Sequence, residues 1–174
     1  HTDFIIYNIP QLAGVALSVE LLREMRKNPR VIGVKNSSMP TQDIQMFKAE
    51  LGDTGVVFNG PDEQFVSGRA IGAQGGIGGT YAVMPELFVK MDELIRAGML
   101  EDACKVQYDI NGIIHALCAC HGNLYAVMKK VLELREGLCL GGVRAPLPGV
   151  IGSDLPKIEK CARTISEAIR KYCA

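Results

Sequence analysis

Long hydrophobic runs are missing from this chain. No stretch of about 18 apolar residues occurs in its 174 positions, so no transmembrane helix is expected. A surplus of one charge sign is missing as well, because 19 Lys and Arg balance 19 Asp and Glu. A nucleic-acid binder carries a basic stripe, and this composition argues against that class. The opening His-Thr-Asp-Phe lacks the basic-then-apolar order of a secretory leader, and none is expected. There is no internal repeat, no low-complexity tract and no CxxC spacing. The six cysteines are Cys104, Cys118, Cys120, Cys139, Cys161 and Cys173. Cys118-Ala-Cys120-His121 matches no common zinc pattern and has no second ligand pair elsewhere, so no metal site is assigned. Several fall on the apolar faces of expected helices, where free cysteine acts as a small hydrophobe, and buried thiols in a reducing cytoplasm are the expectation.

What is present is a large apolar fraction, 48%, in a strict order of patterns. Short apolar runs alternate with helical periods over the first 80 residues. FIIY (Phe4 to Tyr7) reads as a strand. Ser18 is placed to cap a helix running to about Lys27, with Leu21, Leu22 and Met25 on one face. VIGV (Val31 to Val34) is a second strand. Thr41 is expected to cap a helix carrying Ile44, Phe47 and Leu51. GVVFN (Gly55 to Asn59) is a third strand, followed by a helix with Phe65, Val66 and Ala70. AQGGIGG (Ala73 to Gly79) is expected to be a short fourth strand. Strands alternating with helices predict a parallel sheet covered by helices.

After residue 80 the strands stop. Pro85 opens a helical period that ends at Gly98. Further helices are expected over about Glu101–Cys120, Asn123–Glu136 and Leu155–Tyr172, with the Gly- and Pro-rich GLCLGGVRAPLPGV as a loop. The expected division is residues 1–98, four βα units with a final helix, and residues 99–174, a helical extension. Four parallel strands do not close a barrel, since an eight-stranded barrel needs about 250 residues. The sheet is therefore open, or the chain is half of a barrel.

Lys35 ends the second strand, an unusual place for a residue so seldom buried. Side chains alternate along a strand, so Val31, Gly33 and Lys35 are expected on one face, with Ile32 and Val34 on the helix-covered face. Ligands bind at the C-terminal ends of parallel strands. A lysine desolvated there becomes a nucleophile toward carbonyls, although position alone favours a snorkelling or ion-paired lysine. Tyr7 ends the neighbouring strand, and parallel strands lie about 4.8 Å apart, so the phenol and the amine meet at one rim. A phenol in that place suits a proton shuttle. The third strand runs into FNGPDE, where Gly60 allows close approach of a ligand and Asp62 and Glu63 can accept hydrogen bonds from hydroxyls. The same two acids also suit the start of a helix after Pro61. The glycines around Ile77 and Gly79 leave backbone amides bare for a carboxylate or keto oxygen, or else serve tight packing.

YNIP, VIGVK, FNGPDE, GGIGGTY and the RAPLP loop occur in this order. Together they resemble the N-acetylneuraminate lyase and dihydrodipicolinate synthase superfamily over essentially the whole chain. The resemblance implies a TIM barrel with extra C-terminal helices, of which this chain is the C-terminal half. It implies a class I aldolase in which Lys35 forms a Schiff base with pyruvate and Tyr7 relays a proton, with no metal or other cofactor. Leu12 stands where the synthase branch has an arginine for a substrate carboxylate, and Asp62–Glu63 matches the polyol-binding pair of the lyase branch. Ser37 stands where lyases have a threonine near the substrate hydroxyls. Gly79 departs from a serine usual in lyases. The resemblance therefore implies a sialic acid lyase-like enzyme acting on N-acetylneuraminate or a related 2-keto sugar acid. The expected partners are pyruvate, a small aldehyde or sugar, and the missing N-terminal half barrel or a second copy in a homo-oligomer. The alternatives are a dihydrodipicolinate synthase, using aspartate semialdehyde, and a non-catalytic fragment or binding module.

Overall fold

The computed structural model describes residues 2–173. Two compact units divide at residues 78 and 79. The division expected at residues 98 and 99 lies inside the second unit, in the turn between two helices that pack together.

The first unit is a four-stranded parallel sheet in the order β1-β2-β3-β4 with helices between the strands. The strands are β1 (Phe4–Asn8), β2 (Val31–Asn36), β3 (Val56–Asn59) and β4 (Gly75–Gly76). β1 and β2 extend beyond the apolar runs, each ending on an asparagine that continues the ladder. β4 is far shorter than the seven-residue strand expected, because glycines offer no side chains to pack on a pleated surface. The helices are α1 (Pro10–Ala13), α2 (Val19–Met25), α3 (Gln42–Leu51) and α4 (Phe65–Ala70).

Local chemistry accounts for the helix starts. The Ser18 hydroxyl accepts a hydrogen bond from the Leu21 amide at 3.1 Å and so caps α2. Thr41 does not cap α3 in that way. It is itself in the right-handed helical region, and its hydroxyl makes no capping bond. A capping side chain requires extended backbone at the N-cap, which Thr41 lacks.

One buried cluster joins the sheet to its helices: Ile6, Val31, Val34 and Val57 from the strands, Leu22 from α2, and Ile44, Phe47 and Leu51 from α3. Each such side chain contributes about 1.5–3 kcal/mol by leaving water. Val31 belongs to this cluster and does not share a face with Lys35 as strict alternation predicts. The register explains this: Phe4 pairs with Val31 but Ile5 pairs with Gly33, so Ile32 is an extra residue and alternation resets there. At Gly33 a Cβ would overlap the Val56 side chain and carbonyl, so the glycine allows β2 and β3 to approach.

The second unit holds α5 (Pro85–Arg96), α6 (Leu100–Cys118), α7 (Leu124–Glu136) and α8 (Leu155–Cys173). α8 packs against the other three. Its Ile158, Cys161, Ala162, Ile165 and Ala168 recur on one buried stripe. α7 stops at Gly137, whose φ of 69° closes the helix in the left-handed conformation that glycine adopts without strain. Asp154 precedes α8 and is fully buried. Its carboxylate accepts from the amides of His121 at 2.8 Å, Gly122 at 3.1 Å and Ile151 at 3.2 Å. Of the cysteines, only Cys161 is buried. Cys118, Cys139 and Cys173 are exposed, and none of the six forms a disulfide. The expectation of buried thiols fails for the exposed three because α6 and α8 each carry cysteine on an outer face and Cys139 lies in the loop after α7. No described helix is long and apolar enough to cross a membrane.

Candidate active site

Parallel pairing brings the strand ends into one row. Tyr7 pairs with Lys35, and Lys35 with Phe58; one step further, Asn8 pairs with Asn36, and Asn36 with Asn59. Because side chains alternate, Tyr7 and Lys35 leave the sheet on one face and the asparagines on the other. The Lys35 Nζ lies 3.9 Å from the centre of the Tyr7 ring. Tyr7 is about half exposed, and Lys35 is partly buried.

Ser37 completes this corner. Burial opposes ionisation of the Tyr7 phenol, but hydrogen bonds from the Ser37 hydroxyl and the Lys35 ammonium, together with the lysine's charge, outweigh it. The phenol is held below its ordinary pKa, and the Asp62 carboxylate acts weakly in the opposite direction. The phenol is thereby easier to ionise than a free tyrosine, and its ionised form is the one able to take a proton.

Gly60 is where β3 turns away, and its amide donates to the Asn36 carbonyl at 2.8 Å. A Cβ at Gly60 would overlap the Ser37 hydroxyl, so the glycine makes room for that side chain. Asp62 and Glu63 lie in a 3-10 turn, Asp62–Gln64, that leads into α4. They differ sharply: Asp62 is buried and Glu63 is exposed. Ile77 exposes its side chain, and its amide is not bare, since it donates to the Asn59 carbonyl at 3.0 Å. Tyr7, Lys35, Ser37, Gly60, Asp62, Glu63 and Ile77 thus all belong to the first unit. Gly79 opens the second unit, ahead of the 3-10 turn Thr80–Ala82, and its hydrogen faces the Tyr125 ring, which a Cβ would approach to 3.3 Å.

Sequence reading missed Gly78 and the asparagine row. A Cβ on Gly78 would overlap the Asp62 carboxylate. The asparagines had a signal in the sequence, since the first three strands end Tyr-Asn, Lys-Asn and Phe-Asn.

The sequence profile of the dihydrodipicolinate synthetase family matches residues 1–165. The chain belongs to that family. It is 59% identical over 172 residues to the N-acetylneuraminate lyase of Mediterraneibacter gnavus, covering 99% of this chain and 55% of that protein. The sialic acid aldolase of Ruminococcus gnavus, solved as wild type and as a catalytic lysine mutant, superposes with a TM-score of 0.97. The wild-type structure is 59% identical and is matched over 98% of this chain and 57% of its own. The N-acetylneuraminate lyase of Fusobacterium nucleatum superposes with a TM-score of 0.78 at 26% identity, over 98% and 55%. The chain spans about half the length of the curated relatives it matches. Family membership and an α/β fold with a four-stranded parallel sheet agree with the sequence reading.

Proposed function

We propose that the protein containing this chain is a pyruvate-dependent class I aldolase that cleaves or forms N-acetylneuraminate or a related 2-keto sugar acid. The observation that carries this reading is the Lys35 amine over the Tyr7 ring at paired strand ends. It is supported by the 59% identity to an N-acetylneuraminate lyase and by the catalytic lysine of the Ruminococcus gnavus aldolase.

In the cleavage direction the neutral Lys35 amine adds to the 2-keto carbon, and uptake of a proton with loss of water gives a protonated imine. The Tyr7 phenolate takes the proton from the hydroxyl two carbons beyond the imine carbon. The carbon–carbon bond next to that hydroxyl breaks, releasing an aldehyde and leaving an enamine on Lys35. Tyr7, now the phenol, returns its proton to the enamine carbon, and water hydrolyses the protonated imine to free pyruvate and the amine with release of a proton. Ser37 orients the Tyr7 oxygen. Asp62 and Glu63 accept hydrogen bonds from the sugar hydroxyls. Exposed Leu12, on α1, offers no charge to the carboxylate of an aspartate semialdehyde, which favours the sugar-acid reading over the synthase reading.

The four βα units are proposed to form half of a TIM barrel. β1 and β4 are both sheet edges, and Phe4 is half exposed on β1. A further barrel segment or a second copy is the proposed partner, because open parallel edges pair readily.

Borohydride reduction in the presence of pyruvate tests the assignment on the full-length protein. A stable adduct on Lys35 is expected by peptide mass, accompanied by release of pyruvate from N-acetylneuraminate. Absence of any adduct overturns the aldolase reading. An adduct without sugar-acid cleavage, but with aspartate semialdehyde condensation, moves the protein to the synthase branch.

A further inference from the structure

Behind the proposed catalytic lysine lies a chain of buried polar groups whose direction can be assigned throughout. Asn8, Asn36 and Ser38 are 4%, 0% and 4% exposed. The Ser38 hydroxyl has one proton, and its closest partner is the Asp43 carboxylate at 2.6 Å, which accepts only. Ser38 therefore donates to Asp43, and its oxygen accepts from the Asn36 amide nitrogen at 2.9 Å. That fixes the Asn36 amide orientation, so its oxygen accepts from the Asn8 amide nitrogen at 2.7 Å. The Asn8 oxygen in turn accepts from the Leu17 amide at 3.0 Å. Every donor points the same way, from the loop before α2 to the first turn of α3, and the chain ends on a carboxylate. Such a chain strengthens each of its bonds by polarising the next.

Asn36 is the hub. Its carbonyl accepts from the Gly60 amide at 2.8 Å, and the amide of the same peptide group, that of Ser37, donates to the Asn8 carbonyl at 2.7 Å. Side chain and following peptide are thus both held, and the two residues flanking Asn36 are Lys35 and Ser37. Resting on the aldolase reading for its consequence, we propose that the Asn8–Asn36–Ser38–Asp43 chain is a positioning device that holds Lys35 and Ser37 against Tyr7, with Asn36 as the positioning residue. A hydrophobic residue at Asn36 would keep the main-chain ladder but lose both side-chain bonds, to Asn8 and to Ser38, that link the strand ends to α3. The polar chain ties the end of β2 at once to β1, to the loop before α2 and to α3. A displacement of about 1 Å at a reacting group costs on the order of 100-fold in rate.

Two readouts on the full-length protein separate this proposal from the aldolase reading. The first is the ionisation midpoint of Tyr7, followed by NMR of ring-labelled tyrosine without substrate. It depends on where Ser37 and Lys35 sit, not on turnover. Asn36→Ala and Asp43→Asn are expected to raise that midpoint, and Ser38→Thr, which keeps the hydroxyl, to leave it at the wild-type value. The second is the rate of borohydride-trapped pyruvate adduct at saturating pyruvate, well below the melting temperature. It is expected to fall about 10- to 100-fold in the first two variants. If wild type traps no pyruvate, the aldolase reading falls and the Tyr7 midpoint alone decides the positioning role. If Asn36→Ala fails to fold, Asp43→Asn at the far end of the chain decides. A wild-type Tyr7 midpoint in the variants that fold overturns the proposal, whatever their melting temperature.

Discussion

Gly78 and the Asp62 carboxylate occupy adjoining space so tightly that a methyl group on Gly78 would overlap Asp62 Oδ1. Asp62 is buried, so it has little room to retreat. The glycine is thus what allows an acidic side chain to stand beside the glycine-rich segment after β4. Gly78→Ala is expected to displace Asp62 and to raise KM for the sugar acid while leaving the pyruvate adduct on Lys35 intact. Steady-state kinetics alongside borohydride trapping check this, and loss of both together would place the effect in folding instead.

Tyr7→Phe keeps the ring beneath the Lys35 amine but removes the phenolic oxygen. Imine formation with pyruvate is expected to survive. Carbon–carbon cleavage is expected to fall by about 100- to 10,000-fold, the usual worth of a positioned acid–base group. Trapping and turnover measured on one preparation give the two numbers.

Ser37→Ala removes a hydrogen bond that favours the Tyr7 phenolate. The sign follows directly: with that donor gone, the phenol midpoint rises toward its ordinary value. If the phenolate is the base, the rising limb of the kcat/KM profile for cleavage moves to higher pH. A profile unmoved by the substitution would remove Ser37 from the proton relay.

In the second unit, the His121 amide holds the Asp154 carboxyl down at about 2 against the opposing effect of burial, with the Ile151 and Gly122 amides adding to it. An unfolded aspartate titrates near about 3.9. The folded pKa is the lower one, so this stabilisation is fully present above about pH 4–5 and is lost as pH falls toward 2. Asp154→Asn is expected to lower the melting temperature at pH 7 and to flatten its dependence between pH 5 and 2. Thermal melts across that range test it.

Leu22 is fully buried where α2 meets the sheet, whereas Leu12 is 82% exposed. Leu22→Ala is expected to destabilise the first unit by about 2–5 kcal/mol, and Leu12→Ala to stay within about 0.5 kcal/mol. Urea unfolding of the two variants makes the comparison.

Much of the candidate site is legible in the sequence because strand ends are chemically marked. Lys35 after VIGV and Tyr7 after FII break apolar runs with functional groups at the positions where parallel strands present ligands. Adjacent parallel pairing then requires the two to meet, and they do. Val31 was misplaced because alternation assumes an unbroken ladder, and the extra residue at Ile32 is a property of the β1–β2 register. The short β4 and the uncapped Thr41 failed for related reasons: a glycine run gives no packing surface, and the backbone angle at residue 41 is not written in its side chain. The exposed cysteines were misjudged because composition gives a residue's tendency, and the helix face it occupies is set by the neighbouring helices.

By itself, the sequence determined the order of elements, the parallel sheet, the helical second half and the placing of Lys35 and Tyr7 at neighbouring strand ends. These follow from local periodicity and from residue chemistry, which need no distant partner. Only the tertiary structure decided that Asn8, Asn36 and Ser38 form one directed chain ending on Asp43, that Asp62 is buried while Glu63 is exposed, and that Gly78 makes room for Asp62. Those relationships join residues of different elements, and their geometry arises from strand register and close packing, neither of which any single segment encodes.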